Sequence, residues 1–259
     1  MDRLAKLQRS FIFYPDPTPP RSAGDYFPRG EDVALTTADG LSLGAWWVPP
    51  LGALDRGMAV LYAPGNGGQR EGRLHIYALL AEHGFSVLAM DYRGYGGNPG
   101  SPSEDGLASD ARAAAAFIRS KGFGGDRTIY CGESLGTSVV SRLASTDPPA
   151  GIVLRSPPTS LVDLARVHVA WLPIAGTLID TFHVRSNLED SDVPVSVIHG
   201  TADDIVPSEQ SAQVAASAGR LVEELVLPGV GHNDAVMFGP VVADVVARMA
   251  DAVGGSRDN

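Results

Sequence analysis

The chain has 259 residues, 44% of them hydrophobic and 19% charged, with a formal net charge of −10 and a pI of about 5.0. This composition excludes an intrinsically disordered chain, and the acidic balance excludes nucleic acid as a natural partner. The single cysteine, Cys131, excludes an intramolecular disulfide and a cysteine-based zinc or iron–sulfur centre within one chain, and it suits a reducing, cytoplasmic compartment.

The first fifteen residues mix Arg3, Lys6 and Arg9 with Leu4, Leu7, Phe11, Ile12 and Phe13. Their apolar run falls short of the ~18 residues of a membrane span and lacks the small-residue cleavage site of a signal peptide. The expectation is a helix packed on the body of the domain. The alternative is a basic amphipathic segment in peripheral contact with a membrane. Residues 16–28 are rich in proline and glycine and read as an extended arm, so 1–30 form an N-terminal arm and 31–259 the main domain. Residues 31–37 and 41–48 are strand-like and meet at Asp39-Gly40, a hairpin signal. A turn-rich loop, 49–57, follows.

Beyond it, short apolar runs alternate with helical stretches. The runs are 58–63, 85–90, 128–131, 151–154, 193–198 and the more polar 223–227, which suits a sheet edge. The helical stretches are 72–83, 103–121, 134–146, 208–218 and 239–253. Continuous apolar runs suit strands buried on both faces. Their alternation with helices predicts an α/β fold with a mostly parallel central sheet and a ligand site at the carboxyl ends of its strands. Residues 157–192 break the alternation and are too long for a simple connection. They carry Leu161, Leu164, His168 and Trp171 at near-helical spacing, then Leu172, Ile174, Leu178 and Ile179. We read this segment as a small helical cap; a crossover helix with a long tail is the alternative.

Gly132-Glu133-Ser134-Leu135-Gly136 matches G-x-S-x-G between an apolar strand and a helix-forming run, the context of a nucleophile elbow. The turn lifts the serine oxygen above the sheet, and the helix N-terminus favours developing negative charge. A serine hydroxyl needs an adjacent base, and on such elbows the partners follow in the order Ser, Asp or Glu, His. Of six histidines, His75 and His83 precede the serine, His168 and His183 fall in the cap, and His199 ends an apolar run. His232 alone lies beyond the last strand, in a glycine-rich loop able to reach back over the strand ends. The acid is expected after the 193–198 run, where both Asp203 and Asp204 stand. It would fix the imidazole tautomer and stabilise the imidazolium.

The developing oxyanion needs donors. One is the backbone N–H of Leu135, next to the nucleophile. The second is expected from the loop Ala63-Pro64-Gly65-Asn66-Gly67-Gly68-Gln69; we assign Asn66 N–H, with Gly67 as alternative. The loop lacks the context of a phosphate-binding motif.

With these residues placed, the chain resembles the α/β-hydrolase superfamily, and within it the bud-emergence-like or ABHD-type serine hydrolases, over roughly residues 11–253. The most specific stretch is Asp91-Tyr92-Arg93-Gly94-Tyr95-Gly96-Gly97-Asn98-Pro99-Gly100-Ser101-Pro102-Ser103-Glu104, in which Asn98 replaces the usual serine. Phe11-Ile12-Phe13-Tyr14-Pro15 and His199-Gly200-x-x-Asp203-x-x-Val206-Pro207 fit as well, and the second favours Asp203 over Asp204. Pro64-Gly65-Asn66 departs from the branch's usual His-Gly-Asn. Arg93 is expected to be a structural bridge within its turn. The resemblance implies hydrolysis of a small-molecule acyl ester or thioester, an esterase or thioesterase chemistry that needs no metal or organic cofactor. A peptidase or acyltransferase on the same scaffold, and a non-catalytic binding protein, are the alternatives, because fold alone does not determine function.

Overall fold

The computed structural model describes residues 3–168, 177–189 and 191–254. It begins with helix α1 (Arg3–Ile12) and a two-residue strand β1 (Tyr14–Pro15). The hairpin β2 (Glu31–Thr36) and β3 (Ser42–Val48) follows, and then β4 (Ala59–Ala63) and the two-residue β5 (Gly67–Gly68). Helix α2 (Leu74–Glu82), β6 (Ser86–Met90), α3 (Glu104–Ser120), β7 (Thr128–Glu133), α4 (Leu135–Ala144) and β8 (Gly151–Arg155) make the centre. The rest is α5 (Leu161–His168), α6 (Arg185–Leu188), β9 (Val195–Gly200), α7 (Ser208–Ser217), β10 (Leu221–Leu227) and α8 (Pro240–Gly254).

Eight strands form one sheet in the order β10-β9-β8-β7-β4-β6-β3-β2. β2 and β3 pair antiparallel, as does β3 with β6, and every other pair is parallel. The reason lies in the residue pattern. The residues of β4, β6, β7, β8 and β9 are buried throughout, as a parallel sheet with both faces covered requires. β10, at the edge, alternates between half-buried and exposed positions, in keeping with its polar sequence. Two apolar cores result. One holds Leu61, Leu88, Tyr130, Leu154 and Val197 with α3 and α4 residues such as Leu107 and Val140. The other holds Val60, Val87, Ile129, Val153 and Ile198 with Leu80 of α2 and Val246 of α8. Each large aliphatic side chain so buried contributes about 1.5–3 kcal/mol.

Helix ends follow local chemistry. α3 begins where Ser103 Oγ accepts from Gly106 N at 3.1 Å, an N-cap. Arg93 is a bridge, though it reaches beyond its own turn. Its guanidinium grips Asp110 of α3 (Nη2–Oδ1 2.7 Å) and Asp39 of the hairpin turn (Nη1–Oδ2 2.8 Å). Asp91 instead pairs with the buried Arg70 at 2.6 Å. Asn98 accepts from Gly44 N (2.7 Å) and donates to Asp91 O (3.1 Å), fastening this turn to β3.

Between β8 and β9 lie α5 and α6; Trp171, Leu172 and Ile174 fall outside the described residues. Among the described residues no helix is long and apolar enough to cross a membrane.

Candidate active site

β7 and α4 meet at Ser134 with almost no intervening chain. Ser134 has φ +50° and ψ −113°, a backbone conformation that costs a non-glycine residue of order 1–3 kcal/mol. The surroundings hold it there. Ser134 N donates to Arg155 O at 2.9 Å, and Ser134 O accepts from Thr137 N at 3.0 Å. Both motif glycines are sterically required. A Cβ at Gly132 would sit 2.7 Å from Gly136 O, and one at Gly136 would sit 2.7 Å from Pro64 O. The elbow therefore packs directly against the loop after β4.

That loop is braced by the N-terminal arm. β1 and β5 form a small parallel ladder, Tyr14 opposite Gly67 and Pro15 opposite Gly68. Tyr14 N and the Tyr95 hydroxyl both donate to Asn66 O at 2.9 Å, and the Asn66 side-chain amide donates to Ile12 O at 2.8 Å. The Asn66 carbonyl and side chain are thus occupied, and the residue lines the cavity described below. α1 itself is tethered by Arg9, which pairs with the buried Asp180 at 2.6 Å, and by Gln8, which bonds Thr177 O at 2.9 Å.

Asp203 follows β9. Its carboxylate is buried and accepts from Ile205 N (3.0 Å) and Val206 N (2.7 Å) through Oδ1. Oδ2 lies 2.7 Å from His232 Nδ1. One carboxylate oxygen thus closes the turn on Ile205 and Val206, and the other meets the imidazole. Burial alone would raise this carboxyl, but the His232 bond and charge, together with Val206 N–H, outweigh it and hold the group below the usual carboxylate range. Asp204 is exposed. The His232 loop can come this close because Gly200 carries no side chain; a Cβ there would run into Val230 O.

Ser134, Leu135, Asn66, Gly67 and His232 all line one cavity of about 440 Å³. The serine hydroxyl and the imidazole share this space without a hydrogen bond between them among the described residues; such bonds are commonly loose before substrate binds. His199 does not reach the cavity; its ring bonds Ser208 Oγ (2.9 Å) and Glu224 Oε1 (3.0 Å). The remaining wall is mixed: Phe11 and Ile12 from α1, Leu161 and Leu164 from α5, and Phe182, Ile205 and Phe238 stand beside the polar Arg73, Glu133, Ser138 and Asn233.

Sequence reasoning missed the polar residues behind the serine. Glu133, the second residue of the motif, is buried and held by Arg73, Arg155 and Tyr62. The available signal was position: Glu133 and Arg155 each end an apolar strand, where a charge has no reason to be unless it is paired. Among the described residues no cluster of histidine, cysteine and carboxylate side chains could hold a metal ion.

The comparisons with known proteins agree with this architecture. The profile of a hydrolase family described as serine aminopeptidase S33 matches residues 57–191. The chain is 44% identical over 243 residues to the uncharacterized protein Rv2307c of Mycobacterium tuberculosis, covering 93% of this chain and 86% of that one. It is also 29% identical over 210 residues to the lysophosphatidylserine lipase ABHD12 of Danio rerio, covering 67% of this chain and 54% of the lipase. Among solved structures it is similar to the Pyrococcus furiosus esterase Pf2001, with a TM-score of 0.72 and 21% identity over 92% of this chain and 98% of that one. The chain belongs to the serine aminopeptidase S33 family of hydrolases, within the α/β-hydrolase superfamily.

Proposed function

We propose that the protein is a serine hydrolase acting on carboxyl-ester or thioester bonds of an acyl substrate. Ser134 attacks the acyl carbon, and His232 takes its proton while Asp203 holds the imidazole in the required tautomer. Leu135 N–H and Asn66 N–H receive the oxyanion. His232 then protonates the leaving group, and water releases the acyl-enzyme. The observation that carries this reading is the 2.7 Å contact of His232 with Asp203 at the wall of a cavity that also contains Ser134.

The family's name raises the peptidase alternative. An aminopeptidase must recognise a free α-ammonium, which calls for an available carboxylate. Among the described lining residues the one carboxylate is Glu133, and both its oxygens are already engaged by Arg73, Arg155 and Tyr62. The apolar side chains of the wall, Phe11, Leu161, Leu164 and Phe182 among them, suit an uncharged acyl group instead. Presented with matched ester, thioester and aminoacyl-amide substrates, the enzyme should turn over the ester or thioester at least ~100-fold faster than the amide. It should also be labelled on Ser134 by a fluorophosphonate probe. Faster amide cleavage would transfer the assignment to a peptidase; folded protein that takes no label would revive a binding role.

Residues 1–30 are proposed as an arm that completes the site, and 157–192 as a cap that supplies part of the acyl pocket. α1 also gives the peripheral-membrane reading a specific basis. Leu7 and Phe11 are 58% and 70% exposed on a helix that bears Arg3 and Lys6 and no acidic residue. We propose that this face touches a lipid surface. Removing two such side chains should weaken binding at least tenfold, since each is worth about 1.5–3 kcal/mol when buried. Flotation with phosphatidylcholine–phosphatidylglycerol vesicles checks it: the native protein should float and the Leu7→Glu, Phe11→Glu double variant should not. Native protein that stays at the bottom, or a variant that floats as well as the native, rules the contact out.

A further inference from the structure

The buried cluster behind the nucleophile has a geometry that a mere ion pair does not need. Glu133 Oε2 accepts from Arg73 Nε at 2.8 Å and Oε1 from Arg73 Nη2 at 2.7 Å, a two-pronged fork. The Tyr62 hydroxyl donates to Oε2 at 3.0 Å, and Arg155 Nη2 lies 3.2 Å from Oε1. Each arginine then gives a further donor to a different loop. Arg73 Nη1 and Nη2 both reach Gly67 O at 3.2 Å, in the loop that contains Asn66. Arg155 Nη1 reaches His232 O at 2.8 Å, and its guanidinium stacks over the Phe238 ring at 4.5 Å. The first loop also rests on the carboxylate itself, for a Cβ at Gly65 would sit 2.8 Å from Glu133 Oε1.

Three pieces of the candidate site, distant in sequence, are therefore tied to a single side chain. Ser134 is its covalent neighbour, the Asn66 loop hangs from it through Arg73, and the His232 loop hangs from it through Arg155. The tie to His232 is made at the backbone carbonyl, so it sets where the loop sits and leaves the imidazole to its bond with Asp203. The cluster also holds two guanidiniums against one carboxylate. That leaves an excess of positive charge in the cluster, whose Arg73 lines the same cavity as Ser134.

We propose that Glu133 is a positioning residue: it holds the oxyanion loop and the histidine loop in register with the nucleophile through Arg73 and Arg155. This rests on the serine-hydrolase reading above. It extends that reading to residues that act through the loops they hold. Preorganised donors and correct placement act mainly on the chemical step, so the signature is a loss in kcat and not in KM.

Glu133→Gln keeps the shape and removes the charge that both arginines share. It should lower kcat on an activated ester about 100-fold while KM changes less than about threefold. Glu133→Asp keeps the charge and should recover at least ~10-fold of that loss. Thermal melting of each variant separates a smaller folded fraction from slower chemistry. Should Glu133→Gln not fold, Arg73→Lys and Arg155→Lys decide, because lysine keeps the charge but cannot span carboxylate and carbonyl together; each should lose ~10-fold or more in kcat at unchanged KM. Folded variants with native kcat, a change confined to KM, or a loss that only tracks the folded fraction would each overturn the proposal. Ser134→Ala, run alongside, keeps the two ideas apart. If it retains activity, the nucleophile assignment fails. If it is inactive while Glu133→Gln is as fast as the native enzyme, only the positioning role fails.

Discussion

Ser134→Ala is expected to lower kcat/KM on an activated short-chain acyl ester by at least ~10⁴-fold, with little change in stability. The size follows from the role: without the hydroxyl there is no acyl-enzyme, and what remains is the help that binding and an oxyanion site give to water. The small effect on stability follows from the surroundings. The hydroxyl makes no hydrogen bond among the described residues, and the side chain sits at the cavity wall, not in the core. The substitution leaves the strained backbone as it was, since alanine at φ +50° carries the same burden as serine. Thermal unfolding should therefore move by no more than the ~0.5 kcal/mol usual for such sites. Steady-state kinetics with fluorophosphonate labelling checks both halves. Native-like turnover by the variant would remove Ser134 from the chemistry, whereas inactivity joined to a large loss of stability would leave the role unproved.

The fold was legible because its signals are local and dense. Runs such as 85–90 and 128–131 are apolar but for Ser86 and Thr128, and such runs suit strands covered on both faces. The Asp39-Gly40 turn marked the hairpin. Strand ends were less legible, and for a physical reason: β7 and β8 run on to Glu133 and Arg155, charges that look like strand terminators but are buried by pairing with each other. Ser134, Asp203 and His232 could be put forward because motif, order and loop context restrict the choice, and in the fold His232 meets Asp203 at the cavity that Ser134 lines. Asn66 could be named from its loop. What tethers it could not, because the partners Ile12, Tyr14 and Tyr95 come from other parts of the chain. The same holds for Arg73, whose role depends on where Glu133 and Gly67 fall in three dimensions. Arg93 shows the middle case. Its turn was recognisable and its bridging role expected, but Asp39 and Asp110 as partners emerge only once the hairpin and α3 pack together.

Asp203→Asn is expected to cost about 10⁴-fold in kcat, and Asp204→Asn less than about twofold. The two aspartates are adjacent, and their environments differ completely. Asp204 is exposed, so its amide analogue changes only a solvated charge. Asp203 is buried and divides its oxygens, one on Ile205 N and Val206 N, the other on His232 Nδ1. Asparagine can keep the first set through its carbonyl. Its amide nitrogen must then face the imidazole, where it donates and cannot accept. His232 is left with Nδ1 unprotonated and the proton on Nε2, the tautomer that cannot take a proton from Ser134. A loss of this kind, about four orders of magnitude, follows when the acid of such a triad is replaced by its amide. The carboxylate held below its usual range keeps the wild-type group ionised throughout the neutral region, so the difference should persist across neutral and mildly alkaline pH. Kinetics of the two variants side by side, with thermal melting to verify folding, make the comparison. Equal losses, or a loss confined to Asp204→Asn, would mean that the histidine is oriented by some group other than Asp203.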